Sequence, residues 1–311
     1  MAEPAGQSKR GADSSPSRAP SDTGRAGNEG SPAAREVVGL EPLQPQELAI
    51  TLLGAFARAE RVPLWSGGLV RLLGEFGFSS SASRAVLARL VRRELLSPSR
   101  SGRLVFYDVT ARCDELLDEG ERRIFSLGRN TDWDGSWTVV WHSIPEPMRV
   151  ERGRFGRRLR FFGFGSVQDG TWISPHNRED EVRSIVDELG LQPYVGVLIG
   201  RPAVGLQIDR VIERGWDLAA LSRRYERFVS TFRGFRGRPP NGLDDRSAFL
   251  ARTCVVHAFR QFPFMDPDLP GEVMPNADAR NEAIATFHSA YEWLREPAQR
   301  HFTSVAIPPR G

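Results

Sequence analysis

Between Phe78 and Tyr107 stand six arginines, at 84, 89, 92, 93, 100 and 103, and one acid, Glu94, a local charge of +5 in a chain whose whole formal net charge is +3. The chemistry available to such a cluster is anion recognition, because a guanidinium offers a planar fork of donors to phosphate oxygens and base edges. Other side chains that could do chemistry are dispersed. The five histidines, at 142, 176, 257, 288 and 301, show no HxxxH or HExxH spacing, and Cys113 and Cys254 form no CxxC or Cys/His cluster, so neither a zinc site nor a disulfide framework is expected. His142 and Ser143 are neighbours on an expected strand and point to opposite faces, the wrong arrangement for a base and its nucleophile. Gly163-Phe164-Gly165 reads as a turn, and no dinucleotide or P-loop motif occurs. Asp266 and Asp268, either side of Pro267, read as turn-forming and capping residues rather than as paired acids.

The elements that must carry the arginines follow from periodicity. Ser79-Ser80-Ser81 can cap a helix. Leu87, Leu90, Val91 and Leu95 then recur on one face, while Ser81, Ala85, Arg89 and Arg92 point the other way and Arg84 lies on the flank. After Ser97-Pro98, a loop with Arg100 and Arg103 leads into Leu104–Tyr107, rich in β-formers, as the return strand of a hairpin. Two shorter helical stripes precede it, Leu48, Leu52, Leu53, Phe56 and then Leu69, Leu72, Leu73, Phe76. Helix, helix, turn, basic helix and β-wing is the order of a winged helix-turn-helix, whose third helix enters the DNA major groove. A three-helix bundle with a solvated arginine face is the plainer alternative. The candidate DNA contacts are Ser81, Ser83, Arg84, Arg89, Arg92, Arg100 and Arg103.

At 311 residues, 40% hydrophobic and 26% charged, the chain has the composition of a soluble multidomain protein. Lys9 is its only lysine; a GC-rich genome also produces that bias, so the information lies in where the arginines cluster. No run of about 18 apolar residues and no apolar signal core is present. A cytoplasmic protein without membrane contact is expected.

Residues 1–44, rich in Gly, Ser, Pro and Ala with five basic and five acidic residues before Gly39, are expected to form a disordered tail. A winged-helix unit is expected over 45–127. It ends in a fourth helix, Asp108 to about Leu127, whose Cys113, Leu116 and Leu117 pack back on it. The segment 128–205 alternates β-α-β-α-β, with strands at Trp137–Ile144, Gly170–Ser174 and Tyr194–Ile199, and reads as a ferredoxin-like sandwich. Its helix Arg149–Phe162 carries six arginines and one glutamate up to Arg160; a solvated face, a second DNA contact and a site for an acidic or nucleotide-bearing ligand all fit it. Residues 206–311 are expected to be helical, with Leu218, Leu221, Tyr225, Phe228 and Phe232 on one stripe, further helices over Ser247–Phe262 and Ala277–Leu294, and an ordered loop at Pro263–Pro275. The fold class is thus α+β and multidomain: a winged helix-turn-helix, a ferredoxin-like α/β sandwich and a helical C-terminal domain.

Five stretches, in order, resemble the PaaX family of bacterial transcriptional repressors: SRAVLARLVRREL, DGSWTVVWHSIPE (134–146), RLRFFGFG with GTWISP (158–175), WDLAALSRRYERF (216–228) and RQFPFMDPDLP (260–270). Glu94 stands where that family usually has Gly after the paired arginines, and a tryptophan-glycine pair is missing from Met274–Arg280. The resemblance implies a homodimeric repressor of a catabolic operon that binds double-stranded operator DNA and is released by a small effector, an aryl- or acyl-CoA thioester, with no cofactor. It also implies a central domain like the small CRISPR-associated nucleases. Those place a metal-binding aspartate where this chain has Trp141-His142-Ser143, so no enzymatic activity is expected; a metal-dependent nuclease docked by the winged unit is the alternative.

Overall fold

Pro45 lacks an N–H, which suits it to the first turn of a helix, where that donor has no partner anyway. In the computed structural model it opens α1 (Pro45–Leu52), which buries Leu48, Ala49, Thr51 and Leu52. A π-helical turn (Leu53–Ala57) and a last turn (Arg58–Glu60) continue it. The structure describes residues 43–60, 62–129, 133–203, 208–236, 242–271, 274 and 277–308; most of the expected tail thus lies outside the described residues. Next come β1 (Leu64–Trp65), α2 (Ser66–Gly74) with Leu69, Leu72 and Leu73 inward, and α3 (Ser80–Arg92). The hairpin β2 (Leu96–Ser101) and β3 (Leu104–Val109) pairs from Leu96↔Val109 to Ser101↔Leu104. β1 adds to the other side of β3 through Leu64↔Tyr107, giving the antiparallel order β1-β3-β2. At two residues, β1 is too short to leave an alternating pattern in sequence.

Thr110 caps α4 (Ala111–Ser126) by accepting from the Cys113 N–H at 3.2 Å. Cys113 and Leu117 pack inward as expected, but Leu116 is 44% exposed. Leu117, four residues on from Cys113, shares its inward face, and Leu116 is turned out of it.

The central segment has one strand more than expected. Its order is β4 (Trp137–His142), α5 (Arg149–Phe161), β5 (Gly165–Gln168), β6 (Thr171–Ser174), α6 (Glu179–Leu189) and β7 (Val195–Gly200). The antiparallel sheet is ordered β5-β6-β4-β7. β5 reads GSVQ, with a single β-branched residue and a register shift at Ser166/Gln168, so only its pairing to β6 makes it a strand. The helices cover one face of the sheet around Val140, Phe155, Leu159, Trp172 and Ile185.

The C-terminal segment comprises α7 (Ile208–Gly215), α8 (Leu218–Phe232), α9 (Asp245–Phe259), the single turn α10 (Phe262–Met265), α11 (Ala277–Trp293) and α12 (Arg295–Ala306). The α8 stripe is buried as its spacing predicts. α9 ends at Phe259 rather than running to Phe262, and the proline-rich stretch begins with the α10 turn. α9 is buried almost all round, the mark of a central core helix. Phe259 stacks on Phe287 at 4.0 Å, and Tyr225 on Phe262 at 4.1 Å. This core does not stop at the segment boundary: Phe56 of the π-helical turn lies 5.2 Å from Phe302 and 5.1 Å from Phe249. The N- and C-terminal segments share one continuous hydrophobic core.

Candidate nucleic-acid interface

Gly77, at φ +88°, turns the chain between α2 and α3, and Ser79 caps α3 by accepting from the Ala82 N–H at 3.2 Å. Ser83, Val86, Leu87 and Leu90 are buried, so the opposite face is presented outward: Ser81, Arg84, Ala85, Ala88, Arg89, Arg92 and Arg93 are all exposed. The small alanines leave that face shallow between the guanidiniums. Ser83 corrects the expectation of a DNA contact at that position. It is 0% exposed, and its hydroxyl donates to the Ser79 carbonyl at 3.0 Å. It anchors the start of the helix, with its hydroxyl withdrawn from the surface. Sequence spacing placed Leu87 and Leu90 in the core correctly, but a polar serine gave no sign that it lay beside them.

Glu94 sits at φ +58°, in the left-handed region. Its N–H donates to the Val91 carbonyl at 2.9 Å and the Leu95 N–H to the Leu90 carbonyl at 2.9 Å. This pair of bonds is the Schellman helix end that glycine ordinarily supplies. The helix thus stops where a glycine would stop it, and the Glu94 side chain is drawn to Arg112 at 3.0 Å, away from the arginine face. The hairpin that follows closes through the two-residue turn Gly102-Arg103, with Gly102 at φ +58°. Arg100 and Arg103 flank that tip and are exposed. Among the described residues no carboxylate pairs with Arg84, Arg89, Arg92, Arg93, Arg100 or Arg103, whereas arginines elsewhere, such as Arg58, Arg152 and Arg300, are matched. An unmatched, solvated cation row on a protruding helix and hairpin can neutralise phosphates.

The other arginine-rich helix differs. In α5, Arg152 pairs with Glu146 at 2.7 Å, Arg158 with Glu188 at 2.9 Å, and Arg160 lies 4.9 Å over the Trp172 ring. Half of its cations are committed to its own fold.

The RQFPFMDPDLP loop ties the segments together. Asp266, buried, accepts from the Tyr225 hydroxyl at 2.6 Å and faces Arg280 Nε at 3.2 Å. Burial pushes its carboxyl above the usual carboxylate range, with Arg280 pulling the other way. Asp268, at φ +51°, accepts from the Gly128 N–H at 3.0 Å and also binds Arg280. Both are structural, as their turn setting suggests. His176 and His257 are each held neutral, pushed down to about 4 chiefly by burial; burial likewise raises the thiols of Cys113 to about 11 and Cys254 to about 12. Among the described residues no group of three or more His, Cys, Asp and Glu is placed to hold a metal ion, and no helix is long and apolar enough to cross a membrane.

One cluster gave no sequence signal. Arg123 of α4 pairs with Glu119 at 2.6 Å and lies 3.9 Å over the Phe161 ring at the end of α5 and 5.7 Å from Phe264 of α10. It joins three elements far apart in the chain, and no local pattern encodes such a meeting.

Comparison with known proteins covers the same ground. Three family models match in chain order: PaaX-like protein over residues 44–113, the PaaX protein central Cas2-like domain over 130–211, and the PaaX-like protein C-terminal domain over 216–304. The transcriptional repressor PaaX of Escherichia coli is 24% identical over 249 residues, 78% of this chain and 77% of that protein. An uncharacterised protein of Mycobacterium tuberculosis shares the fold with a TM-score of 0.52 at 20% identity, over 80% of this chain and 95% of its own. Carrying the three parts in order, the chain belongs to the PaaX-like family.

Proposed function

We propose that the chain is a transcriptional repressor that binds double-stranded operator DNA through a winged helix-turn-helix, with α3 in the major groove. The carrying observation is the division of α3: Val86, Leu87 and Leu90 hold it to α1 and α2, while Arg84, Arg89 and Arg92 stand exposed and unmatched beside the wing arginines. Arg84 and its neighbours then approach base edges, and Arg100 and Arg103 meet phosphates at the wing. The relative's name as a repressor supports this reading. The β-α-β-β-α-β order of the central sheet fits a ferredoxin-like unit, and its use here is scaffolding rather than catalysis. A homodimer on an inverted repeat completes the proposal; the edge strand β7, with Leu198 and the adjacent Trp141 exposed, is the surface that supports a second copy. A small effector such as an aryl- or acyl-CoA thioester relieves repression.

The test is Arg84→Ala in a gel shift against the promoter of its own operon. Removing a guanidinium that hydrogen-bonds a base edge should weaken binding by about 1–3 kcal/mol. Unchanged affinity in a folded protein removes Arg84 from the interface. Cleavage of labelled nucleic acid by the pure protein with added divalent metal would instead favour a nuclease.

A further inference from the structure

Three of the six α5 arginines are left once Arg152, Arg158 and Arg160 have met partners within the fold. Arg149, Arg154 and Arg157 are exposed, and among the described residues no carboxylate pairs with any of them. Helical spacing gathers them on one side. Arg149 and Arg157 stand four residues before and after Gly153, so the three positions form one row, and Arg154 flanks it. Phe155 and Leu159 are turned away from that row and hold the helix to the sheet. Glu151, the only acid of the helix, is two residues from Gly153 and so lies off the row.

Gly153 is the unusual member. A glycine in mid-helix is unfavourable relative to alanine, and Gly156 of the same helix has a packing reason for it: a Cβ there would lie 3.3 Å from Trp172 Cζ2. Gly153 has no such reason. Outside the helix backbone, the nearest atom that an added Cβ would meet is Arg157 Nη1 at 3.5 Å, the end of a flexible side chain. A merely solvated face would be served better by a helix former at this position. What the missing side chain leaves is bare backbone among three cations, which lets a chain of anions come close.

We propose that this face of α5 binds the phosphate backbone of duplex DNA, as a second surface distinct from α3. Arg149 and Arg157 are about 12 Å apart along the axis at ~1.5 Å per residue, room for successive phosphates. Phosphate contacts carry no sequence information, so this surface adds affinity for any duplex and leaves the choice of operator to α3. It goes beyond the repressor reading and does not depend on which α3 residues meet base edges. An acidic polypeptide is the competing occupant.

The test uses the full chain and three probes, a random-sequence duplex, the promoter of its own operon and poly-glutamate, by fluorescence anisotropy over a range of salt. Arg154→Gln combined with Arg157→Gln should weaken random-duplex binding at least threefold at low salt and flatten the slope of log affinity against log salt by about 2. Gly153→Leu keeps every charge and installs a better helix former. It should raise Tm and still weaken duplex binding at least threefold, which a solvated helix would not do. Unchanged affinity and slope in the folded double variant, undiminished duplex binding by Gly153→Leu, or dependence on Arg154 and Arg157 for poly-glutamate alone overturns the proposal. Arg84→Ala separates the two surfaces: loss of promoter binding there, with none in the α5 variants, removes this surface and keeps α3, and the reverse result keeps this surface and removes Arg84.

Discussion

Glu94 bears a left-handed φ of +58° that a residue with a Cβ adopts only at a cost of about 1–2 kcal/mol. Against this it contributes an ion pair with Arg112 in which both side chains are more than half exposed, 77% and 66%, and such pairs contribute about 0–1 kcal/mol. Backbone strain outweighs the pair. Glu94→Gly should therefore stabilise the protein slightly, by about 0.3 kcal/mol at the midpoints of these ranges once the lost ion pair and the larger unfolded-state entropy of glycine are both subtracted; urea melts should show the midpoint rise, and a fall would mean that the Arg112 ion pair dominates. The buried histidines act through pH. His176 and His257 sit at about 4 in the folded chain against 6.5 when free, so between these values the unfolded state binds protons that the native state does not. Stability is complete above pH 6.5 and declines as pH falls toward 4, by about 1.4 kcal/mol per pH unit for each histidine. His257→Gln keeps a polar neighbour for Thr51 and should remove about half of that slope in urea melts at pH 7, 6 and 5.

At the scale of elements, the position of α3 depends on α2, and α2 depends on the far end of the chain. Gly68 of α2 faces the α12 backbone so closely that an added Cβ would lie 2.2 Å from the Val305 carbonyl oxygen. Backbone cannot yield as a flexible side chain does. Gly68→Ala, normally favourable in a helix, should here destabilise by about 1–3 kcal/mol, read as a lowered Tm, and should weaken DNA binding by shifting the α2–α3 pair. The β2–β3 hairpin makes a separate prediction. Arg103 stands at the hairpin turn, so Arg103→Ala should weaken binding evenly across sequences and flatten the slope of log affinity against log salt by about 1, where Arg84→Ala changes sequence preference instead.

At the scale of the molecule, the shared core makes the N-terminal segment dependent on the rest. Phe56, fully buried, has its aromatic partners Phe249 and Phe302 in the C-terminal segment, and Arg252, also buried, donates to the Ala55 carbonyl at 2.8 Å. Residues 45–127 expressed alone would expose that face. The isolated piece should be unfolded or aggregated, and in the full chain hydrogen exchange should show α1 and α9 opening together; a stable isolated piece would contradict this. The central sheet, with its own cluster around Phe155 and Leu159, should open separately.

Local physics was enough for much of this. The stripes of α1, α2, α3 and α8, the serine cap, the β2–β3 hairpin and the concentration of unbalanced arginines are all set by neighbours within four residues or by one turn, which is why sequence periodicity displays them. The same holds for the five stretches that resemble the family. Tertiary structure alone decided the rest. Ser83 is core because α3 is rotated to bury it, β5 is a strand because β6 pairs with it, and half of the α5 arginines are committed to partners as distant as Glu188. Arg123 meets Phe161 and Phe264 only because segments far apart in the chain close on one another, and no period in a sequence records a meeting of that kind.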